Sequence, residues 1–455
     1  MYIKDTIVAL ATPYGVSGVS ILRISGKKVK EICKKILKKI PKSRYANYLD
    51  FFNILDKKII DKGIAIIYKK PNSFTGEDIL ELHCHGSPVL IDILLKNILS
   101  IRDVRIANNG EFSQRAFFNN KIDLLQAEGI DDLINSNSEK MLLSSLNSIK
   151  GKYSSYIKKL SNNIIKIITN IEIILNSEEE YNVFINKLFL KKIDNIIKNF
   201  KNAIKNIERN IVFKEGIKIV ISGIPNSGKS SLFNSILSSD RSIVTEFSGT
   251  TRDVLTENFS FDGINLSISD TAGIKKSNDK IEKIGILKAW REIKKSNCVL
   301  LVTDCNDIKK LKKNIYNKNI IKYLESNNIY YIVIFNKCDI NNVSPNIKIY
   351  KKIAYINLSA KKNIGINLLL KFIKEKLLFK NFSENIFLCR NRHLDLIKKS
   401  LYKLKRSKKT FIKFNNLEIL SEDLIKSKKF LDCIVGKFYT DDLLKSIFSN
   451  FCFGK

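Results

Sequence analysis

Four stretches in the first part of the chain are short and rich in apolar β-formers: DTIVALAT, GVSILRISG, KGIAIIYKK and DILELHCHG. Turns of Gly, Pro and Lys separate them, so they predict strands. Between the second and third, VKEICKKIL has helical spacing, and residues 1–115 predict a mixed α/β region. From about residue 119 to 210 the apolar residues recur at three and four. LLQAEGIDDLI, KMLLSSLNSIKGKYSSYIKKLSNNIIKIITNIEIIL and FLKKIDNIIKNFKNAIKNIERNIV therefore predict long amphipathic helices. Residues 216–378 alternate strand and helix patterns, as parallel-sheet proteins do. From about 385 the helical spacing returns and continues to the end. A helical region thus brackets an α/β segment, and an insertion of that kind needs its two ends close together. The expected organisation is an N-terminal α+β domain at 1–118, a helical domain assembled from 119–215 and 379–455, and an inserted α/β domain at 216–378.

Composition narrows the class. Hydrophobic content of 44% and charged content of 27% are those of a globular chain. No apolar run is long enough to span a bilayer. MYIKDTIVALAT leads into a strand pattern and carries no leader signature, so a cytoplasmic location without membrane attachment is expected. The eight cysteines (33, 84, 298, 305, 338, 389, 433 and 452) form no C-x-x-C and no zinc-finger spacing with histidine. His83 and His85 flank Cys84, but on a strand residues 83 and 85 share a face that 84 leaves, which is a poor metal set. The formal charge of +34 points toward nucleic acid. The excess is largely Lys, spread along the chain with Ile and Asn. All three use AT-rich codons, so mutational bias is an alternative source of the charge.

The chemistry concentrates in the inserted segment. KIVISGIPNSGKSSLFNSIL reads as strand, Gly-rich loop and helix, and Gly223 to Ser230 fits G-x-x-x-x-G-K-[ST]. The loop N–H groups can wrap phosphates, Lys229 can reach the terminal ones, and the Ser230 hydroxyl is placed for Mg²⁺. Asp270-Thr271-Ala272-Gly273 follows the strand INLSIS; its carboxylate suits the Mg²⁺ shell and Gly273 N–H the terminal phosphate. Asn336-Lys337-Cys338-Asp339 follows YIVIF. An Asp there accepts from N1–H and the 2-amino group of guanine, donors that adenine lacks, and so selects GTP. Ser359-Ala360-Lys361 ends another strand and can brace the base. Four such elements in order, each at a strand end, predict a GTPase.

Two positions need explanation. Ras-like enzymes place a Gln after the DTAG-type motif to orient the attacking water, and here that position is Ile274. In addition, Asn226, Thr245, the Phe247 carbonyl and Thr250 form an oxygen-rich set before GTTRD. That set can hold a monovalent cation against the phosphates; the plainer reading is that Asn226 caps the loop.

DTIVALATPYGVSGVSILRISG, TGEDILELHCHGSPV, NGEFSQRAFFNNKIDLLQAEGIDDLI, GIPNSGKSSLFNSIL, GTTRDV, IEKIGILKAW and the terminal DDLLKSIFSNFCFGK carry a resemblance over essentially the whole chain. It resembles the MnmE (TrmE) family of tRNA modification GTPases. The resemblance implies a tetrahydrofolate-binding-like N-terminal domain that forms a homodimer. It also implies a complex, a heterotetramer, with the flavoprotein MnmG. Together they would install a carboxymethylaminomethyl or aminomethyl group at C5 of the wobble uridine of certain tRNAs. A 5-formyl- or 5,10-methylene-tetrahydrofolate would supply carbon, and GTP hydrolysis would depend on K⁺. Matched residue by residue, the nucleotide contacts are Asn226, Ser227, Gly228, Lys229, Ser230, Ser231, Thr245, Glu246, Phe247, Ser248, Gly249, Thr250, Thr251, Asp270, Thr271, Ala272, Gly273, Asn336, Lys337, Cys338, Asp339, Ser359, Ala360 and Lys361. Asn226, Thr245, Phe247 and Thr250 match the K⁺ ligands, Ser230 and Thr251 the Mg²⁺ ligands, and Glu282 the residue that orients water through a second water. Arg23, Glu81, Lys121 and Lys455 match the folate contacts.

The same resemblance implies that the C-terminal tail reaches the folate pocket, with Cys452 beside the ligand; a thiolate there can act as nucleophile or proton relay, so Cys452 is expected in the modification chemistry and outside GTP hydrolysis, the alternative being that it only packs the tail. Phe453 departs from the family's usual small aliphatic residue between Cys and Gly. A ribosome-assembly GTPase that binds rRNA is the second reading of the nucleotide motifs, and the folate-like segments and the Cys-x-Gly-Lys tail stand against it.

Overall fold

A computed structural model describes residues 5–176, 183–223, 226–238, 242–244, 256–262, 264–270, 290–304, 315–327, 329–341, 343–351, 353–378, 387–438, 441–452 and 454. The chain forms two compact units, one of Met1–Ile134, Ser148–Phe200 and Leu396–Lys455, the other of Asn135–Asn147 and Lys201–Asp395.

The first unit opens with β1 (Thr6–Leu10), β2 (Ser17–Ser25), α1 (Val29–Ile36), β3 (Asn47–Phe52), β4 (Ile59–Tyr68), β5 (Ile79–Gly86), α2 (Pro88–Leu99), β6 (Val104–Ile106), α3 (Glu111–Phe118) and α4 (Leu124–Ile134). The sheet order is β3-β4-β5-β2-β1-β6. Its period-two alternation separates two faces. Val8, Leu22, Ile24, Leu80, Leu82 and Cys84 pack with Ile32 and Ile36 of α1 and Ile91, Leu94 and Ile98 of α2. Ile7 and Ala9 point the other way, into Ala107 and Phe112. β1 is buried along its whole length because both faces are covered. The sequence signals found β1, β2, β4 and β5 but not β3, whose NYLDFF mixes polar and aromatic residues without a clear period.

Downstream, Gly151 takes φ 76 and divides what reads as one long helix into α5 (Glu139–Ile149) and α6 (Lys152–Leu175). Left-handed backbone is cheap only for glycine, which explains the break. Next come α7 (Val183–Glu215) and, after the inserted segment, the helices Asn391–Phe414, Leu417–Ile434 and Asp441–Phe448. Helix Leu417–Ile434 lies along α6. Ser421 Oγ donates to Glu172 Oε1 at 2.9 Å, and Ser400 and Ser427 share a buried hydroxyl contact at 2.8 Å. Segments from either side of the insertion therefore build one helical core, with Ile157, Leu160, Ile164, Ile167 and Ile171 buried from α6.

The second unit holds β7 (Ile217–Gly223), α8 (Lys229–Leu237), β8 (Ser242–Val244), β9 (Thr256–Phe261), β10 (Ile264–Asp270), β11 (Cys298–Asp304), α9 (Ile315–Ser326), β12 (Tyr330–Asn336), β13 (Asn346–Tyr350), β14 (Ile353–Asn357) and α10 (Ile366–Leu378). Sheet order is β13-β14-β12-β11-β7-β10-β9-β8. The five central strands run parallel. They bury both faces, as parallel strands must. Ile219, Ile221, Leu300, Val302, Ile332 and Ile334 pack on α8 and α10 residues. Val220, Val299, Leu301 and Val333 pack on Ile293, Ile320 and Leu324. The fold class read from the sequence is the one observed: an α+β N-terminal part, a discontinuous helical part and an inserted doubly wound α/β part.

We number the last three helices α11 (Asn391–Phe414), α12 (Leu417–Ile434) and α13 (Asp441–Phe448).

Candidate functional site

In the second unit β7, β10, β11 and β12 end together, at Gly223, Asp270, Asp304 and Asn336. The carboxyl edge of an open parallel sheet is where such folds bind ligands. Asn226, at φ 60, turns the loop after β7 toward the start of α8. Gly228 caps that helix at φ 87, and a Cβ there would meet Asn336 Nδ2 at 2.2 Å, so only glycine fits. Lys229 opens α8 and is buried, whereas Ser230 and Ser231 are exposed on the first turn. Unpaired N–H groups at a helix start attract anions.

One side chain joins three loops. Asn336, 2% exposed, donates Nδ2–H to the Ser227 carbonyl at 2.9 Å. Its Oδ1 accepts from Lys337 N–H at 2.9 Å and Ala360 N–H at 3.0 Å. Its amide is thus engaged with the protein, and its place in the site is to hold the phosphate loop, the Asn336–Asp339 loop and the Ser359–Lys361 loop in register. Lys337, at φ 65, sends Nζ to Asp304 Oδ2 at 2.7 Å. Asp304 escaped the sequence reading, although an acid ending an apolar strand is a visible signal. Cys338 is buried, which pushes its thiol up, and its N–H donates to Leu358 O. The Asp339 carboxyl is held below the usual range, first by the Ser359 hydroxyl, then by its own backbone and by Lys362 and Lys361. A carboxylate favoured in its ionised form in that place suits a ligand edge with two adjacent donors. Lys361 is exposed beside it. Thr245, Glu246, Phe247, Ser248, Gly249, Thr250, Thr251, Thr271, Ala272, Gly273, Ile274, Glu282 and Lys455 lie outside the described residues.

The first unit holds a second candidate. Arg23 and Glu81 are direct partners across β2 and β5, and Arg23 Nε meets Glu81 Oε1 at 2.8 Å. They line a cavity of about 340 Å³ with Tyr68, Phe74, Ile79 and Ile130. Tyr68 OH reaches Glu81 Oε2 at 3.5 Å, and burial followed by that carboxylate raises the phenol's pKa. The Gly454 carbonyl accepts from Arg23 Nη1 at 3.4 Å, so the C-terminal tail reaches this cavity. Phe448 and Phe451 anchor the tail against Leu124 and Phe117. Lys121 is not at the cavity wall; its Nζ donates to the Pro71 carbonyl at 2.9 Å. Cys452 lines a separate apolar cavity of about 510 Å³ with residues such as Leu10, Thr12, Ile91 and Ile134. Its carbonyl accepts from Gly110 N–H at 3.4 Å. His85 Nδ1 pairs with Asp61 Oδ1 at 2.7 Å, and Cys84 is buried in the core, where its thiol is pushed up to about 11.

A doubly wound sheet with a Gly-rich loop, a buried Lys opening the helix that follows and an ionised Asp on the neighbouring strand-end loop defines a P-loop protein of the guanine-nucleotide type. Residues 6–121 match the family described as GTP-binding protein TrmE N-terminus, and residues 124–452 match the MnmE helical domain. The tRNA modification GTPase MnmE of Buchnera aphidicola subsp. Cinara cedri is 47% identical over 452 residues, 99% of each chain. That of Wigglesworthia glossinidia brevipalpis is 43% identical over 461 residues, all of both chains, and that of Actinobacillus pleuropneumoniae serotype 3 is 41% identical over 454, 99% of this chain and 100% of the other. The chain belongs to the MnmE family of tRNA modification GTPases.

Proposed function

We propose that this chain hydrolyses GTP and, with an MnmG-type flavoprotein, modifies C5 of the wobble uridine of certain tRNAs at the expense of a folate one-carbon unit. The observation that carries the nucleotide half is Asn336, whose single amide locks the three ligand-facing loops together. Lys229 and the loop N–H groups bind the β- and γ-phosphates. Asp339 accepts from the guanine edge, and Ser359, Ala360 and Lys361 support the base. Ser230 sits on the first exposed turn of α8, where its hydroxyl suits a Mg²⁺ shell completed by Thr251. Asn226, exposed at the loop's left-handed position, is free to turn its carbonyl oxygen to a K⁺ shared with Thr245, Phe247 and Thr250. When bound, the two cations neutralise charge on the transferring phosphoryl group. Glu282 orients the attacking water, the work that Ile274 cannot do.

The Arg23–Glu81 cavity fits the folate. An Arg suits an anionic glutamyl tail and a Glu suits the donor edge of a pterin, and the apolar lining at Phe74 and Ile79 suits the ring. Lys455 is assigned to the same ligand, and Lys121 to its outer end. Cys452 acts in modification and not in GTP hydrolysis. The working assembly is a homodimer with two MnmG subunits in the cytoplasm; among the described residues no helix is long and apolar enough to cross a membrane.

The test is reconstitution. The chain, an MnmG-family partner, unmodified tRNA, GTP, K⁺ and 5,10-methylene-tetrahydrofolate should yield the modified wobble nucleoside, and omission of K⁺ or folate should abolish it. GTP turnover stimulated by rRNA, with no nucleoside product, would move a ribosome-assembly role to the front.

A further inference from the structure

The helix α11 carries nine Lys and Arg and one acid, Asp395. At 3.6 residues per turn, an arc of about 120° between positions 398 and 413 contains Lys398, Lys399, Tyr402, Lys405, Arg406, Lys409 and Lys413 and nothing else. All seven are exposed, Tyr402 by 65%. The opposite arc, with Ile397, Leu401, Leu404 and Phe411, is buried in the helical core. Off the arc, Lys403 pairs with Asp423 at 4.0 Å and Lys408 with Asp194 at 2.6 Å. Among the described residues no acid pairs with Lys399, Lys405, Arg406 or Lys409. Codon bias does not explain this. Bias spreads Lys over every helix face, and the neighbouring α12, from the same chain, has three Lys against four acids. Here acids are excluded and a tyrosine sits among the cations.

We propose that this face of α11 is an RNA docking surface. The cations track phosphates over about 22 Å of helix, and Tyr402 offers a ring for stacking on an unpaired base. A membrane surface is the poorer fit, since amphipathic membrane helices insert an apolar face and the apolar face of α11 is committed to the core. The proposal rests on the tRNA-modifying reading for its choice of partner.

Anisotropy of a labelled unmodified tRNA transcript, titrated with the full chain from about 50 to about 200 mM salt, tests it. Lys405→Glu/Arg406→Glu/Lys409→Glu is expected to weaken binding at least about tenfold and to flatten the salt dependence by about two to three contacts. GTP turnover and helical circular dichroism should stay at wild-type level. Tyr402→Ala is expected to weaken binding with the salt slope unchanged, and Tyr402→Phe to restore it. If the charge-reversed set loses its helical signal, Lys405→Gln/Arg406→Gln/Lys409→Gln takes its place, with the same change in slope expected. A folded variant that binds with wild-type affinity and slope overturns the surface and leaves the tRNA reading standing. Charge-dependent binding to phosphatidylserine vesicles, with none to tRNA, overturns it in favour of a membrane. Wild-type chain that binds no tRNA overturns it as well, while the modification reading is judged separately by the nucleoside product.

Discussion

Arg115 and Glu111, 2% and 1% exposed, meet at 3.0 Å one turn apart on α3. Arg105 adds a second guanidinium to the same carboxylate at 2.6 Å, and Asp5 and Glu77 complete the charge around Arg115. Burial pushes the Glu111 carboxyl up, but Arg105, the Asn108 N–H and Arg115 outweigh it, and the net direction is down. The unfolded carboxyl titrates at about 4.3. Stability from this group is therefore complete above that pH and is lost as pH falls through the lower folded value. Glu111→Gln should lower stability at pH 7 by about 3 kcal/mol, chiefly by leaving the buried Arg115 guanidinium, and with it the part-exposed Arg105, short of charge. It should also flatten the acid limb, read as urea midpoints at neutral and acid pH.

Asn336→Ala removes the link between Ser227 and Ala360 and leaves a buried carbonyl and a buried N–H without partners. Each such loss costs about 1–3 kcal/mol. Fluorescent GDP should bind at least about tenfold more weakly, with Asn336→Asp only partly restoring affinity because it keeps the acceptor and loses the donor. Unchanged nucleotide affinity in Asn336→Ala would sink the idea that this amide sets the loops.

Asp339→Asn should exchange specificity. The amide cannot accept from both guanine donors, and GTP turnover should fall by about three orders of magnitude or more at fixed nucleotide. Xanthine carries a carbonyl where guanine has its amino group, so xanthosine triphosphate should be hydrolysed by the variant and not by the wild type. Competition of each nucleotide against labelled GDP reads the change.

The nucleotide loops were legible because each motif is local. A glycine run before a helix, or an acid after an apolar strand, declares its chemistry within a few residues. What joins them was not, since the Asn336–Ser227 bond spans 109 positions and exists only once β7 and β12 take their places in the sheet. Arg23 and Glu81 are 58 positions apart, and nothing in either segment specifies their register; the resemblance supplied the pair, and strand pairing explains it. Lys121, matched to the same ligand by position, donates its ammonium to the Pro71 carbonyl, a contact 50 positions away that its own segment does not announce. The α11 face needed no fold at all to be seen, only the helical period, but the charge total hid it by averaging over the chain.

Gly454 gives the tail its route to Arg23. At φ 81 it passes so close to β1 that a Cβ would stand 2.3 Å from the Leu10 carbonyl oxygen. Gly454→Ala therefore strains the backbone and collides with main chain that cannot yield. The tail should lift and take its carbonyl away from the Arg23 guanidinium. Calorimetry with 5-formyl-tetrahydrofolate should then show weaker binding, while GTP turnover stays unchanged because the nucleotide loops lie in the other unit. Cys452→Ser separates chemistry from packing. It changes one atom and preserves the carbonyl that accepts from Gly110 N–H. Folate should bind it normally, and GTP should turn over normally, yet the modified nucleoside should fail to form. Full modification by Cys452→Ser, alongside weak folate binding by Gly454→Ala, would reduce the tail to a lid on the Arg23–Glu81 cavity and remove the thiol from the reaction.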